Sequence, residues 1–182
     1  LQRQILHRET RLGMNKAASA EIELADVNPN CDVRAVEKRL GAEELEHLVA
    51  EADVVLDTSD NFATRHAVNR VCVNARKPLV SGAAIRFVGQ ISVFDPRQPA
   101  SPCYACFLPE ETETEEERCA TMGVLAPLTG TIGSMQATEA LHLLVFGDSD
   151  LTGRMLLYDG LSADWQSVPV SRNPTCAVCA GR

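Results

Sequence analysis

The sequence predicts an α/β fold that continues into antiparallel strands and ends in a cysteine-bearing tail. Three observations carry that expectation. The stretch "ADVVLDTSDN" is a short apolar run that stops abruptly in polar residues, as a buried parallel strand does where its carboxyl end opens onto a site. Helix-like and strand-like patterns alternate around it. After Pro96 the texture changes to an acidic stretch, one long apolar helix and a hairpin pattern.

Taken in order, residues 12–25, "LGMNKAASAEIELA", are rich in helix formers and stop at "DVNPN", where Pro29 and the asparagines supply breaker chemistry. "CDVRAVEKRL" alternates apolar Val33 and Ala35 with polar neighbours and reads as a strand leading to a turn at Gly41. "AEELEHLVAEA" sets Leu45, Leu48 and Val49 on one helical face. Residues 54–56 form the strand that ends in Asp57, Thr58, Ser59, Asp60 and Asn61, and residues 62–75 form the next helix. "KPLVSGA" and "GQISVFDP" read as strands. "EETETEEER" reads as a solvated acidic loop. "GTIGSMQATEALHLLVFG" is a helix with Gly147 near its end, and "GRMLLYDG" and "WQSVPV" pair through "LSAD" as an antiparallel hairpin.

The chain has 182 residues, 45% of them hydrophobic, which suits one domain with a sizeable core. It contains no apolar run of about 18 residues and no secretory pattern at its start, so a soluble, intracellular, cytoplasmic protein is expected. The formal net charge of −8 argues against a nucleic-acid binder, which needs clustered Lys and Arg. It leaves an acidic nucleotide enzyme open, because a few placed cations suffice for one ligand.

Four of the seven cysteines form two C-x-x-C pairs, Cys103 with Cys106 and Cys176 with Cys179. Paired knuckles at this spacing predict a four-cysteine zinc site, since each short loop turns two thiolates toward one ion. With four thiolates no position is left for water, so the site is expected to be structural. It would join residues 101–108 to residues 174–181. A redox pair would want one C-x-x-C at a helix start, whereas both pairs sit among Pro and Gly residues. Disulfides are disfavoured by the expected compartment.

Asp60, just past the "VVLD" strand, could hold hydrated magnesium beside a nucleotide's phosphates; equally, Ser59, Asp60 or Asn61 could cap the following helix. Arg3 and Lys16 are cations that read alone as solvated surface charges. Cys119 follows the acidic stretch, either as a small buried hydrophobe or as a reactive thiol. Cys31 and Cys72 read as core. The four His residues show no ligand spacing.

The stretches "LQRQILH", "DVVLDTSDNFATR", "PLVSGAAIRFVGQISVF", "PCYACF", "CATMGVLAPLTGTIGSMQATEAL" and "CAVCAG" together resemble the MoeB/ThiF family, adenylyltransferases that activate small ubiquitin-like sulfur-carrier proteins. The resemblance runs from one end of the chain to the other. It implies a doubly wound, mainly parallel sheet extended by antiparallel strands, a four-cysteine zinc site and a homodimer. It also implies a reaction in which ATP and the carrier's C-terminal Gly-Gly carboxylate give an acyl-adenylate and pyrophosphate, for thiamine or molybdopterin biosynthesis.

Carried over by position, Arg3 and Gln4 match the family segment that approaches the ATP phosphates, and Lys16 matches its phosphate-binding lysine. Asp60 matches the aspartate that positions magnesium, with Asn61 beside it. Cys119 aligns with the cysteine that forms an acyl-persulfide with the carrier in ThiF-type members and is dispensable in MoeB-type members. The acidic stretch resembles the family's crossover loop. The family's first βα unit, with its Gly-rich turn, is absent from residues 1–182, so this stretch alone is expected to bind ATP poorly and to lack activity. A non-catalytic zinc-bearing docking module for a ubiquitin-like partner is the alternative, and Arg3, Lys16 and Asp60 together weigh against it. An NAD-dependent oxidoreductase gives no account of the knuckles.

Overall fold

Asn15 opens the first helix by accepting a hydrogen bond from the Ala17 amide on its side chain, and Lys16–Val27 (α1) runs until Asn28 and Pro29 stop it. The structure, a computed structural model, describes residues 1–110 and 122–181. It divides into two compact units, Leu1–Gly41 and Ala42–Arg182.

In the first unit the only regular element besides α1 is a 3-10 turn at Glu9–Arg11. The strand expected over residues 31–40 does not form. Its backbone groups are taken by side chains instead of a ladder: the Ala35 amide donates to Glu21 Oε1 at 2.9 Å, and Asn15 Nδ2 donates to the Glu37 carbonyl at 3.0 Å. Cys31, expected in a core, is exposed there.

The second unit contains Ala42–Glu51 (α2), Val55–Asp57 (β1), Phe62–Ala75 (α3), Leu79–Ile85 (β2), Val88–Phe94 (β3), Tyr104–Phe107 (α4), Ala126–Val145 (α5), Arg154–Asp159 (β4) and Asp164–Pro169 (β5). Five strands form one sheet in the order β1-β2-β3-β4-β5. β1 pairs with β2 in parallel, and the other three pairings are antiparallel. The α/β class and the antiparallel extension are as expected, but among the described strands the antiparallel part outweighs the parallel part. The reason is connectivity. β2 and β3 are joined by the two residues Arg86 and Phe87, which only an antiparallel hairpin allows, whereas β1 reaches β2 through α3.

Side chains alternate across this sheet, so both faces are covered. Leu79 and Phe94 pack with Val49, Val71, Cys72 and Tyr104 on one side. Val80, Ile91 and Val93 pack with Ala140 and Leu143 of α5 on the other. The buried stripe of α5 reads Leu128, Ile132, Gln136, Ala140 and Leu143, a helical period laid across β2 and β3. Gly82 and Gly89 let it approach: a Cβ at Gly82 would lie 2.3 Å from Gln136 Cδ, and one at Gly89 would lie 2.7 Å from Ile132 Cδ1. Burial holds the Cys72 thiol far from ionisation, at a pKa of about 12. Leu56 of β1, expected inside a buried strand, is 42% exposed because β1 is an edge of the described sheet. Among the described residues no helix is long and apolar enough to cross a membrane.

Candidate functional site

The carboxyl end of β1 is built around a buried carboxylate. Asp57 accepts from the Ser59 amide at 2.9 Å and the Ser59 hydroxyl at 2.6 Å, which folds the chain into a tight turn directly after the strand. From α3 the Arg65 guanidinium reaches beneath that turn. It donates to Asp57 Oδ2 at 3.3 Å, Ser81 Oγ at 3.2 Å and the Gly82 carbonyl at 3.0 Å, and also to the Ser59 carbonyl. From α5, Gln136 Nε2 donates to the carbonyls of Asp57 at 3.0 Å and Val80 at 3.2 Å. Three elements therefore fix one turn.

That turn presents Asp60, which is exposed, followed by Asn61. The α3 cap is Asn61, whose Oδ1 accepts from the Thr64 amide at 2.8 Å, so the capping role that Asp60 could have filled is taken by its neighbour. Arg3, Gln4 and Lys16 belong to the first unit: Arg3 and Lys16 are exposed, Gln4 is half-buried, and Lys16 is the first residue of α1. Cys119 and most of the acidic stretch lie outside the described residues.

Arg65, Asp57 and Gln136 were not singled out by sequence. A signal for Arg65 existed: it shares a helical stripe with Asn69, Cys72 and Val73, all buried, so a cation stood where the period placed core.

The four expected cysteine ligands converge. Their sulfurs lie within 4.8 Å of one another, with Cys103–Cys106 at 3.9 Å, Cys103–Cys176 at 3.7 Å and Cys106–Cys179 at 3.4 Å. A tetrahedral ion with sulfur at about 2.3 Å requires sulfurs about 3.8 Å apart, so the donor set fits such an ion with small shifts of the sulfurs. These distances far exceed an S–S bond of about 2.05 Å, and all four are free thiols. Cys103 stands at the N-cap of the one-turn helix α4, a placement the sequence reading did not anticipate. Burial nonetheless pushes the Cys103 and Cys179 thiols up, whereas a redox nucleophile needs a lowered value. Burial opposes ionisation of Cys176 too, but hydrogen bonds from the backbone of Val178 and Cys179, together with the thiols of Cys103 and Cys179, outweigh it and bring that thiol down. Such a set ionises together only with a cation at its centre. Around it, the Asn173 amide donates to Cys106 Sγ at 3.4 Å and Arg172 Nη2 donates to the Cys179 carbonyl at 2.6 Å.

The ThiF family model matches residues 1–178. The chain is 43% identical over 182 residues to the adenylyltransferase and sulfurtransferase MOCS3 of Drosophila ananassae, covering 99% of this chain and 40% of that protein. It is 43% identical over 180 residues to the SAMP-activating enzyme E1 of Haloferax volcanii, covering 98% of this chain and 66% of that protein. The chain thus spans about two fifths of the length of the MOCS3 relatives it matches. The fold matches the crystal structure of E. coli MccB with ATP at a TM-score of 0.80 and 22% identity, over 98% of this chain and 55% of that one.

Proposed function

The chain belongs to the ThiF family, and from that premise we propose that the whole protein uses ATP to adenylate the C-terminal Gly-Gly carboxylate of a ubiquitin-like sulfur-carrier protein. The observation that carries the reading is the turn after β1, which three elements hold rigid while it presents Asp60 outward. The MOCS3 and SAMP-activating E1 relatives support it by name.

In this reading Arg3, Gln4 and Lys16 bind the ATP phosphates. Lys16 adds its charge at the start of a helix, where unpaired amides already favour anions. The carrier's carboxylate oxygen attacks the α-phosphorus, and the bond to pyrophosphate breaks as the new one forms. No general base is needed, because the attacking carboxylate is already ionised. Negative charge grows on the leaving pyrophosphate, so Arg3 and Lys16 lower the barrier by stabilising it. Asp60 would hold a hydrated magnesium ion, which supplies charge neutralisation at the phosphates; a single exposed carboxylate suits an ion that keeps most of its waters. Cys103, Cys106, Cys176 and Cys179 would hold zinc as a structural clamp between the segment after β3 and the C-terminal tail. Cys119 would take part in the later sulfur step.

The reading extends to a cytoplasmic homodimer serving thiamine or molybdopterin biosynthesis. Carrier-stimulated ATP–pyrophosphate exchange by the whole protein is the test, and the carrier that stimulates it identifies the pathway. Asp60→Ala should abolish exchange; a near-normal rate would remove Asp60 from the site. Cys119→Ser should leave exchange intact while stopping sulfur transfer.

A further inference from the structure

Residues 1–15 carry Arg3 and Gln4, yet they have almost no regular structure of their own. Their backbone bonds are short-range, such as His7 N to the Gln4 carbonyl at 3.0 Å and Leu12 N to the Glu9 carbonyl at 3.1 Å. Bonds of that reach shape the segment but cannot fix it against α1. The fixing contacts come from side chains. Arg8 Nε donates to Glu23 Oε2 at 2.8 Å and its Nη2 to Oε1 at 2.5 Å, a two-pronged grip. Arg11 Nη2 donates to Glu23 Oε2 at 2.5 Å and also to the Leu6 carbonyl at 3.1 Å. His7 Nδ1 lies 3.0 Å from Ser19 Oγ.

The contacts to Ser19 and Glu23 converge on one face of α1. Lys16, Ser19 and Glu23 stand at i, i+3 and i+7, so the residue that anchors the segment shares a face with the lysine at the helix start. Glu23 and the Arg11 side chain are almost sealed, at 12% and 11% exposure. Among the described residues no other carboxylate is bonded to either arginine, so one acceptor gathers both.

We propose that Glu23 is a positioning residue for adenylation, holding the segment that bears Arg3 and Gln4 against the helix that begins at Lys16 so that these groups meet the triphosphate as one set. This rests on the reading that Arg3, Gln4 and Lys16 contact the ATP phosphates. Without Glu23 each group keeps its chemistry and loses its placement. A merely structural ion pair would instead lower stability and leave the energetic coupling to Arg3 untouched.

The experiment is a double-mutant cycle in the whole protein, reading carrier-stimulated ATP–pyrophosphate exchange for wild type, Glu23→Gln, Arg3→Ala and the pair. Glu23→Gln should lower kcat/KM for ATP about 10- to 100-fold, with Glu23→Asp recovering part of the loss. Arg3→Ala should then cost several-fold less in the Glu23→Gln background than in wild type. Independent effects of the two substitutions overturn the inference. An inert Arg3→Ala in wild type overturns the phosphate reading beneath it, and the inference with it. Trypsin cleavage after Arg8 and Arg11, which needs no activity, should quicken in Glu23→Gln, and an unchanged rate sinks the clamp. If Glu23→Gln does not fold, as judged by circular dichroism and metal content, exposed Arg8→Gln removes one arm and should show the same coupling in weaker form.

Discussion

The Arg65 guanidinium meets the Asp57 carboxylate at 3.3 Å with the two side chains only 6% and 3% exposed. A buried pair of this kind holds its turn in one arrangement, and it depends on both partners staying charged and bonded. Removing the cation leaves Asp57 uncompensated while Ser59, Ser81 and Gly82 lose a common donor.

Arg65→Ala should therefore destabilise the second unit by about 3–5 kcal/mol. Chemical denaturation checks this. Arg65→Lys should recover little, because a point charge cannot bond four acceptors in one plane. A loss below about 1 kcal/mol would show that the turn after β1 does not need the guanidinium.

The thiol cluster leads to a different expectation. Cys176→Ser removes one of four donors, and the remaining three sulfurs cannot close a tetrahedral site. The variant should lose bound zinc, and amide exchange should rise over residues 174–181, the segment that the cluster ties down. Removing metal from the unaltered protein with a chelator should give the same exchange pattern. Full metal content in the variant would overturn the four-cysteine assignment.

These two sites differ in how openly the sequence shows them. C-x-x-C spacing is local, and local spacing survives folding, so Cys103, Cys106, Cys176 and Cys179 were legible. The same holds for β1, α3 and the β4–β5 hairpin, each marked by its own period and end signals. Residues 31–40 alternate in polarity as well, but alternation marks any extended segment, and a strand also needs a neighbour. There the neighbours are side chains of α1, which no pattern within the segment announces. Arg65 and Gln136 were illegible for a related reason: their partners lie 6 to 79 residues away in sequence. A buried polar residue becomes intelligible only when its acceptors are placed.

His66 introduces a dependence on pH. The ring is nearly buried, packs edge-on against Tyr104 at 5.2 Å, and among the described residues leaves Nδ1 without a hydrogen-bond partner. Burial lowers its pKa from the ordinary 6.5; the Glu110 carboxylate, 3.9 Å away, pulls the other way, and Arg70 pushes with the burial. The folded protein thus prefers neutral His66. Its contribution is fully present above pH 6.5 and is lost as pH falls from there through the folded value. His66→Gln should flatten that part of the stability–pH curve, and Glu110→Gln should steepen it. Superimposable curves for His66→Gln and wild type below pH 6.5 would refute the assignment.

Gly82 is a position where the sheet leaves room for a side chain from another element. A methyl group there would fall 2.3 Å from Gln136 Cδ and 2.4 Å from its Oε1, a clash that the amide can relieve only by swinging away. Swinging away gives up both hydrogen bonds that Gln136 donates to the carbonyls of Asp57 and Val80. Gly82→Ala should cost about 1–3 kcal/mol as an overpacked site, and Gln136→Ala about 1–3 kcal/mol for the two hydrogen bonds lost. The two losses share one cause, the missing amide. Gly82→Ala combined with Gln136→Ala should therefore cost clearly less than the sum, because the second substitution vacates the space that the first one needs. Additive losses in urea denaturation would mean that Gly82 is required for a reason other than Gln136.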